Sequence, residues 1–273
     1  MLSFYKLIPR SSMKNSELRD IQSEPDHRKI PINKVGVKDI RYPVVVLDRT
    51  DGSQHTVARV NMYVNLPHHF RGTHMSRFIE ILNRYRTGIS TKNVREILNE
   101  MKQQLDAHTA YFDMEFPYFV TKSAPISGER AKMEYTCRLA ASSDNDHYML
   151  EVRVPVLSLC PCSKEISSFG AHNQRSVITV QIKAQERIWI EELIEIAETS
   201  ASSDIYSILK REDEKYITEK SYKNPVFVED MVRNAAEKLN SKRGILWYSV
   251  ESENMESIHN HSAYAQISGN MRG

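Results

Sequence analysis

The sequence LEVRVPV at residues 150–156 alternates apolar residues with other types, which is the pattern of a strand with one buried face. It leads into SLCPCSKEI at residues 158–166, where two of the three cysteines lie two residues apart. A second alternating run follows at Ile178, Val180 and Ile182. The segment between the runs is therefore predicted to be a loop between two strands, where binding and catalytic side chains are often held.

Working outward from this loop, the same order of elements is predicted twice. The first half gives strands at 35–47, 58–66, 110–121 and 130–140, with two helices between the second and third strands. The second half gives strands at 150–156, 178–182, 245–253 and 263–267, with helices at 190–197 and from Asn224-Pro225 to 239. The predicted fold is thus α+β, with ββααββ occurring twice.

Three regions follow from this pattern: a polar, mobile arm at 1–33, a first module at 34–143 and a second module at 144–273. The second module carries most of the reactive side chains. It also carries an insertion between its helices, at residues 200–223. Long polar insertions in compact domains are usually functional or disordered, but Ile205, Ile208 and Leu209 favour a packed segment here.

The chain has 273 residues, 40% of them hydrophobic, and a formal net charge of +2. These values are typical of a globular protein, and a net charge near zero argues against nucleic acid as a partner. No apolar run approaches the roughly 18 residues that span a bilayer, so no membrane role is expected, and the N-terminus shows no secretory signal. Three cysteines without such a signal indicate a reducing, cytoplasmic location.

The loop at 158–175 admits three interpretations: a metal site, a redox pair and cysteines that merely pack. Cys160 and His172 are good metal ligands, and candidates for a third ligand are Glu214, Glu256, His259 and His261. If the extended geometry of the strand continued, Cys160 and Cys162 would point to the same side. The spacing of the two cysteines is not the usual one of a redox pair, which makes that interpretation the weakest.

Other side chains suggest a substrate. The segment ESIHNH at 256–261 combines an acid with two histidines, a set suited to proton transfer near neutral pH. Lysines and arginines, among them Lys164, Arg175 and Arg77, would suit a polyanion such as a triphosphate. Glu229 could accept two N–H bonds from a planar edge such as that of guanine.

These residues resemble the type IB GTP cyclohydrolase I family. The resembling motifs are LCPCSKEI at 159–166, AHNQR at 171–175, LKREDEK at 209–215, NPVFVED at 224–230 and ESIHNH at 256–261. The resemblance implies two tandem tunnelling-fold (T-fold) modules, each ββααββ with a four-stranded antiparallel sheet and two helices on one face. It also implies a homotetramer with active sites at its interfaces. The implied activity converts GTP to formate and 7,8-dihydroneopterin triphosphate, the first step of tetrahydrofolate synthesis.

The resemblance further implies roles for individual residues. The divalent metal ion (manganese, iron or zinc) would be bound by Cys160, His172 and Glu214, with His259 completing or adjusting the shell. Glu229 would bind guanine, and the triphosphate would be bound by Lys164, Arg175 and Arg77. The catalytic candidates are Cys160, Cys162, Glu256 and His259. Two alternatives remain open: a non-catalytic metal-binding protein, and another tunnelling-fold enzyme acting on a pterin or deazapurine.

Overall fold

The computed structural model describes residues 20–271, which form an antiparallel sheet with helices packed against it. The strands of this part of the chain are β1 (Ile32–Asp48), β2 (Gly52–Leu66), β3 (Ala110–Ser123), β4 (Arg130–Ser142), β5 (Tyr148–Leu159), β6 (Asn173–Ala184), β7 (Ser203–Asp204), β8 (Ile245–Asn254) and β9 (Ala263–Asn270). The helices are α1 (Met75–Tyr85), α2 (Val94–Gln104), α3 (Pro161–Ile166), α4 (Ile190–Glu198), α5 (Arg211–Lys223) and α6 (Val228–Asn240). The α+β class predicted from the sequence is confirmed.

The sheet runs in the order β1-β2-β3-β4-β5-β6-β8-β9, and the short β7 pairs with β5. Four strands come from each half of the chain. The halves are joined where β4 pairs with β5, in a register that places Leu139 opposite Leu150 and Cys137 opposite Val152. All four of these side chains are buried, so the core continues across the junction without a break.

The helices other than α3 and α5 turn an apolar stripe toward the sheet, as their helical periodicity predicts. Buried side chains of these stripes are Phe78, Ile81 and Leu82 in α1, Val94, Ile97, Leu98 and Met101 in α2, Leu193, Ile194 and Ala197 in α4, and Met231, Val232, Ala235 and Leu239 in α6. They form a single cluster with the inward residues of the strands. None of the helices between residues 20 and 271 combines the length and apolar character needed to cross a bilayer.

Two local predictions are wrong. The chain after β5 does not stay extended: Cys160 is the N-cap of α3, with proline at the first helical position, which is a favourable start for a helix. Cys160 and Cys162 therefore do not share a side. The last long helix begins at Val228 rather than at Asn224-Pro225, because Asn224 ends α5 and its side-chain amide donates to the carbonyl of Ala201 at 3.0 Å.

The insertion at 200–223 is packed, as predicted, and it contains β7 and α5. Only Asp213 and Ser221 are buried in α5, so this helix lacks the apolar stripe that would have revealed it. The Asp213 carboxylate accepts the N–H of Lys210 at 2.8 Å at the start of the helix, and those of Ile126 and Ser127 at 2.8 and 2.9 Å. The loop between β3 and β4 thus holds the first turn of α5.

Part of the predicted arm contacts the segment after β2. The N–H of Asp26 donates to the carbonyl of His69, and the N–H groups of Arg71 and Gly72 donate to the carbonyls of Glu24 and Gln22, all at 3.0–3.1 Å. Residues 1–19, the greater part of the predicted mobile arm, lie outside the described residues.

Candidate functional site

Cys160 lies where β5 passes into α3. Its carbonyl accepts the hydroxyl of Ser163 and the N–H of Lys164, both at 3.2 Å. Its sulfur accepts the N–H of Ser163 at 3.5 Å and so caps the first turn of the helix. The thiol is therefore held at a fixed place, half-buried beside the end of the sheet.

His172 faces Cys160 across the base of the hairpin formed by β5 and β6. The last pair of this hairpin is Leu159 opposite Asn173, and beyond it the N–H of Cys160 donates to the carbonyl of His172 at 3.1 Å. The backbones of opposing residues in such a pair lie about 4.5–5.5 Å apart. The structure thus brings together the backbones of the two residues that the sequence marked first as metal ligands.

Gln174 connects His172 to Glu256. Its Oε1 lies 2.9 Å from His172 Nδ1, and its Nε2 donates to Ser158 Oγ at 2.8 Å and to Glu256 Oε1 at 3.4 Å. The hydroxyl of Ser257 lies 3.3 Å from the same His172 nitrogen. The first two residues of the segment 256–261 therefore lie against the hairpin.

The remaining predicted ligands and the guanine-binding candidate are exposed. Glu214 is in the first turn of α5, and Glu229 is in the first turn of α6. The ring of His259 stacks on that of His261 with centroids 5.3 Å apart. Within residues 20–271, no group of three His, Cys, Asp or Glu side chains is close enough to hold a metal ion. The ligand set of four stays a prediction.

The cationic candidates lie in different surroundings. Lys164 Nζ donates to the carbonyl of Tyr222 at 2.6 Å and lies over its ring. Arg175 is exposed beside the hairpin. Arg77 is in α1, and its guanidinium donates to the carbonyl of Gln104 at 2.6 Å. Cys162, the second catalytic cysteine candidate, is exposed on α3. Within residues 20–271, no hydrogen bond joins any two of these four side chains.

The insertion and α6 are nevertheless anchored at the hairpin. Leu159, the residue before Cys160, donates its N–H to Ser202 Oγ at 3.0 Å, and its carbonyl accepts the N–H of Val226 at 3.2 Å. Val226 lies between α5 and α6. The two helices that carry Glu214 and Glu229 are thus connected to the residue next to the thiol.

A buried ionic network fixes the insertion to the first half of the chain. Lys122 Nζ, at the end of β3, donates to Glu198 Oε1 at 2.7 Å and to Asp204 Oδ2 at 3.0 Å. Lys220 of α5 donates to the other oxygen of Asp204 at 2.8 Å. Burial alone would raise the pKa of Asp204, but the charge of Lys122 and the hydrogen bond from Lys220 outweigh it and hold the pKa well below its usual range.

Gln174, Ser158 and Lys122 were not among the residues that the sequence singled out. A signal was present for the first two, because each occupies an inward position of an alternating strand where an apolar residue is expected. Gln174 is only 6% exposed and Ser158 is fully buried. Polar residues at such positions need partners, and here the partners belong to the site.

Comparison with known proteins identifies relatives over nearly the whole chain. The family model described as type I GTP cyclohydrolase FolE2 matches residues 18–265. A protein named GTP cyclohydrolase FolE2 from Geotalea uraniireducens is 58% identical over 256 residues, covering 93% of this chain and 94% of the relative. The protein of the same name from Citrifermentans bemidjiense is 59% identical, covering 93% and 96%.

Among solved structures, uricase from Arthrobacter globiformis is similar, with a TM-score of 0.50 and 8% identity, over 88% of this chain and 94% of the uricase. A highly active mutant of urate oxidase from Bacillus sp. TB-90 has a TM-score of 0.50 and 9% identity, covering 88% and 100%. At these identities the likeness concerns the fold alone.

Proposed function

The chain belongs to the type I GTP cyclohydrolase FolE2 family, and we propose that it hydrolyses GTP to formate and 7,8-dihydroneopterin triphosphate, the first step of tetrahydrofolate synthesis. The observation that carries the proposal is the hairpin of β5 and β6, which holds Cys160 beside His172 with Glu256 connected through Gln174. All four residues lie within the region that matches the family.

The same site would hold a divalent manganese, iron or zinc ion, through Cys160, His172, Glu214 and His259. A thiolate, imidazoles and a carboxylate are donors that such ions accept, so the donor chemistry fits the group, although no three of these side chains lie close enough to hold an ion in the described part of the chain. Gln174 takes the Nδ1 side of His172, which leaves Nε2 for the ion. Within residues 20–271 the carboxylate of Glu214 and the ring of His259 make no hydrogen bond that ties them elsewhere.

When bound, the ion supplies Lewis-acid activation of the water that attacks C8 of the guanine ring. Glu256 is half-buried and accepts a hydrogen bond from Gln174, and in this proposal it accepts a proton and returns it to the ring nitrogen that leaves C8. His259 and Cys162 are the further proton carriers of this proposal, since both are exposed on segments that border the hairpin.

Glu229 would bind the N1–H and exocyclic amine of guanine, because a carboxylate matches two parallel donors. Glu229 is exposed in the first turn of α6. The triphosphate would be bound by Lys164 and Arg175 of the same subunit and by Arg77 of a neighbour. Arg77 is exposed on α1, in the half of the chain that lacks the hairpin.

The interface site requires an oligomer, and we propose a homotetramer of tandem T-fold modules. The element order supports two modules. Each half contributes four strands to the sheet, with a helical segment between the second and third of these strands. Among residues 20–271, β1 and β9 are the edge strands of the sheet, although Val46 of β1 bridges to Ile89, and exposed edges favour further strand pairing. A cytoplasmic location fits the three unpaired cysteines.

The test is turnover of GTP by the purified full chain loaded separately with manganese, iron and zinc. We expect release of formate together with a pterin that becomes fluorescent on oxidation. Glu229→Gln should raise the KM for GTP at least about tenfold, because one amide N–H would face a donor of the base. Glu237→Gln, on an exposed turn of the same helix, is the matched control and should leave the KM unchanged.

Absence of product with all three metals would overturn the cyclohydrolase proposal. Metal binding without GTP turnover would instead support a non-catalytic metal-binding protein. An unchanged KM in Glu229→Gln would remove the guanine-binding role from this residue and leave the activity standing.

A further inference from the structure

We propose that Gln174 is a positioning residue that fixes the proton of the His172 ring on Nδ1 and so presents Nε2 to the metal ion. The inference rests on the proposed function, because it concerns the same site. It adds a residue that the ligand and substrate predictions do not contain.

The orientation of the Gln174 amide follows from its partners. An ionised carboxylate only accepts hydrogen bonds, so the end of the amide that faces Glu256 Oε1 at 3.4 Å must be the NH₂ group. The same end lies 2.8 Å from Ser158 Oγ, which can accept. The oxygen of the amide therefore faces His172.

This orientation decides the tautomer of the ring. An amide oxygen only accepts, and Gln174 Oε1 lies 2.9 Å from His172 Nδ1. The proton must then be on Nδ1, where the hydroxyl of Ser257 at 3.3 Å can share it as a second acceptor. Nε2 is left with a free lone pair, which is what a metal ion requires.

Gln174 is itself held from several sides. It stands opposite Ser158 in the pairing of β5 with β6, and the hydroxyl of Ser176 donates to Ser158 Oγ at 3.1 Å. Ser158 and Ser176 are fully buried, and Gln174 is 6% exposed. A buried amide with all these partners has little freedom to rotate, so the ring of His172 is positioned before the ion arrives.

The test uses Co²⁺ as the probe on the metal-free full chain, with the thiolate-to-cobalt absorption as the readout. Gln174→Met keeps the volume and removes the acceptor, and we expect its affinity for Co²⁺ to fall about 10- to 100-fold. Gln174→Glu restores an acceptor for Nδ1–H, and its affinity should return to within a few fold of that of the unchanged protein.

The matched control is Gln181→Met, on the same strand, where the amide donates to Glu151 Oε2 at 2.8 Å outside the site. We expect it to bind Co²⁺ as the unchanged protein does. Thermal unfolding of each metal-free variant is measured alongside, so that a loss of structure is separated from a loss of ring orientation.

Two results would overturn the inference alone while GTP turnover persists in the unchanged protein. One is unchanged Co²⁺ affinity in Gln174→Met. The other is an equal loss in Gln174→Met and Gln174→Glu with lowered thermal stability in both, which indicates a structural role. If the unchanged protein neither binds Co²⁺ nor turns over GTP, the proposed function fails and the inference fails with it.

Discussion

At the scale of single residues, the two cysteines of the hairpin loop have separate surroundings although only one residue lies between them. Cys160 follows the last residue of β5 and caps α3, whereas Cys162 is already inside the helix and exposed. Successive helical residues are rotated by about 100°. The start of the helix thus directs the two sulfurs away from each other.

This difference predicts which thiol binds the metal. Cys160→Ser should remove the thiolate-to-cobalt absorption of the Co²⁺-loaded protein, since the sulfur beside His172 is lost. The affinity for Co²⁺ should fall by at least about tenfold. Cys162→Ser should keep the absorption. Titration of both variants with Co²⁺ is the measurement, and loss of the absorption only in Cys162→Ser would reverse the assignment.

Individual site residues were predictable where their chemistry is distinctive. Cys160 and His172 could be paired from the sequence because few other side chains bind metals as well, and the structure places them together. Gln174 was not predicted as a site residue, because glutamine does not titrate and is not a typical metal ligand. Its role comes from its place opposite Ser158, and that depends on the register of two strands.

At the scale of elements, α5 shows what periodicity misses. Helices that bury an apolar stripe were predicted close to their observed positions, except that α6 begins at Val228 and not at Asn224-Pro225. The helix α5 buries a carboxylate and a hydroxyl instead, and it is held by hydrogen bonds and by the ion pairs around Asp204. Such contacts are between residues distant in sequence, so the sequence of the helix alone does not reveal them.

The ion pairs of this element can be tested through stability. Lys122 is 11% exposed at its side chain and faces both Glu198 and Asp204. Lys122→Met would leave the two carboxylates with a missing partner, which we expect to lower the free energy of unfolding by about 3–5 kcal/mol in urea. The control Lys132→Met, exposed on the neighbouring strand, should change it by less than about 0.5 kcal/mol.

The free energies of unfolding of the unchanged protein and of Lys122→Met should differ less at acid pH. The pKa of Asp204 is held below its usual range in the folded state, so its contribution to stability is complete above the unfolded pKa of about 3.9 and is lost as the pH falls below that value. The difference in urea midpoint between the unchanged protein and Lys122→Met should therefore become smaller as the pH is lowered. Urea midpoints that stay equally far apart down to acid pH would contradict the role given to this carboxylate.

At the scale of the whole molecule, alternating patterns predicted most strands closely, but they did not predict how the halves join. An alternating pattern indicates which face of a strand is buried, but it does not indicate which strand pairs with it. The pairing of β4 with β5, and the two-residue β7 that pairs with β5, were visible only in the structure.

The proposed interface site makes a prediction about assembly. If Arg77 serves the site of a neighbouring subunit, Arg77→Ala and Glu229→Ala chains should each be weakly active, and oligomers mixed from both should regain activity. Random mixing in equal amounts leaves about a quarter of the sites with both residues intact. Activity of the mixed oligomer measures this, and no recovery would place Arg77 outside a neighbour's site.

The junction of the two halves has a consequence for proteolysis. The connection between β4 and β5 is a short turn with exposed residues at its tip, the kind of site that proteases cut. Next to this turn, β4 and β5 are connected by six residue pairs and by the ion pair of Arg138 with Glu151. A single cut there would release no fragment under native conditions, and the nicked protein would separate only on denaturation.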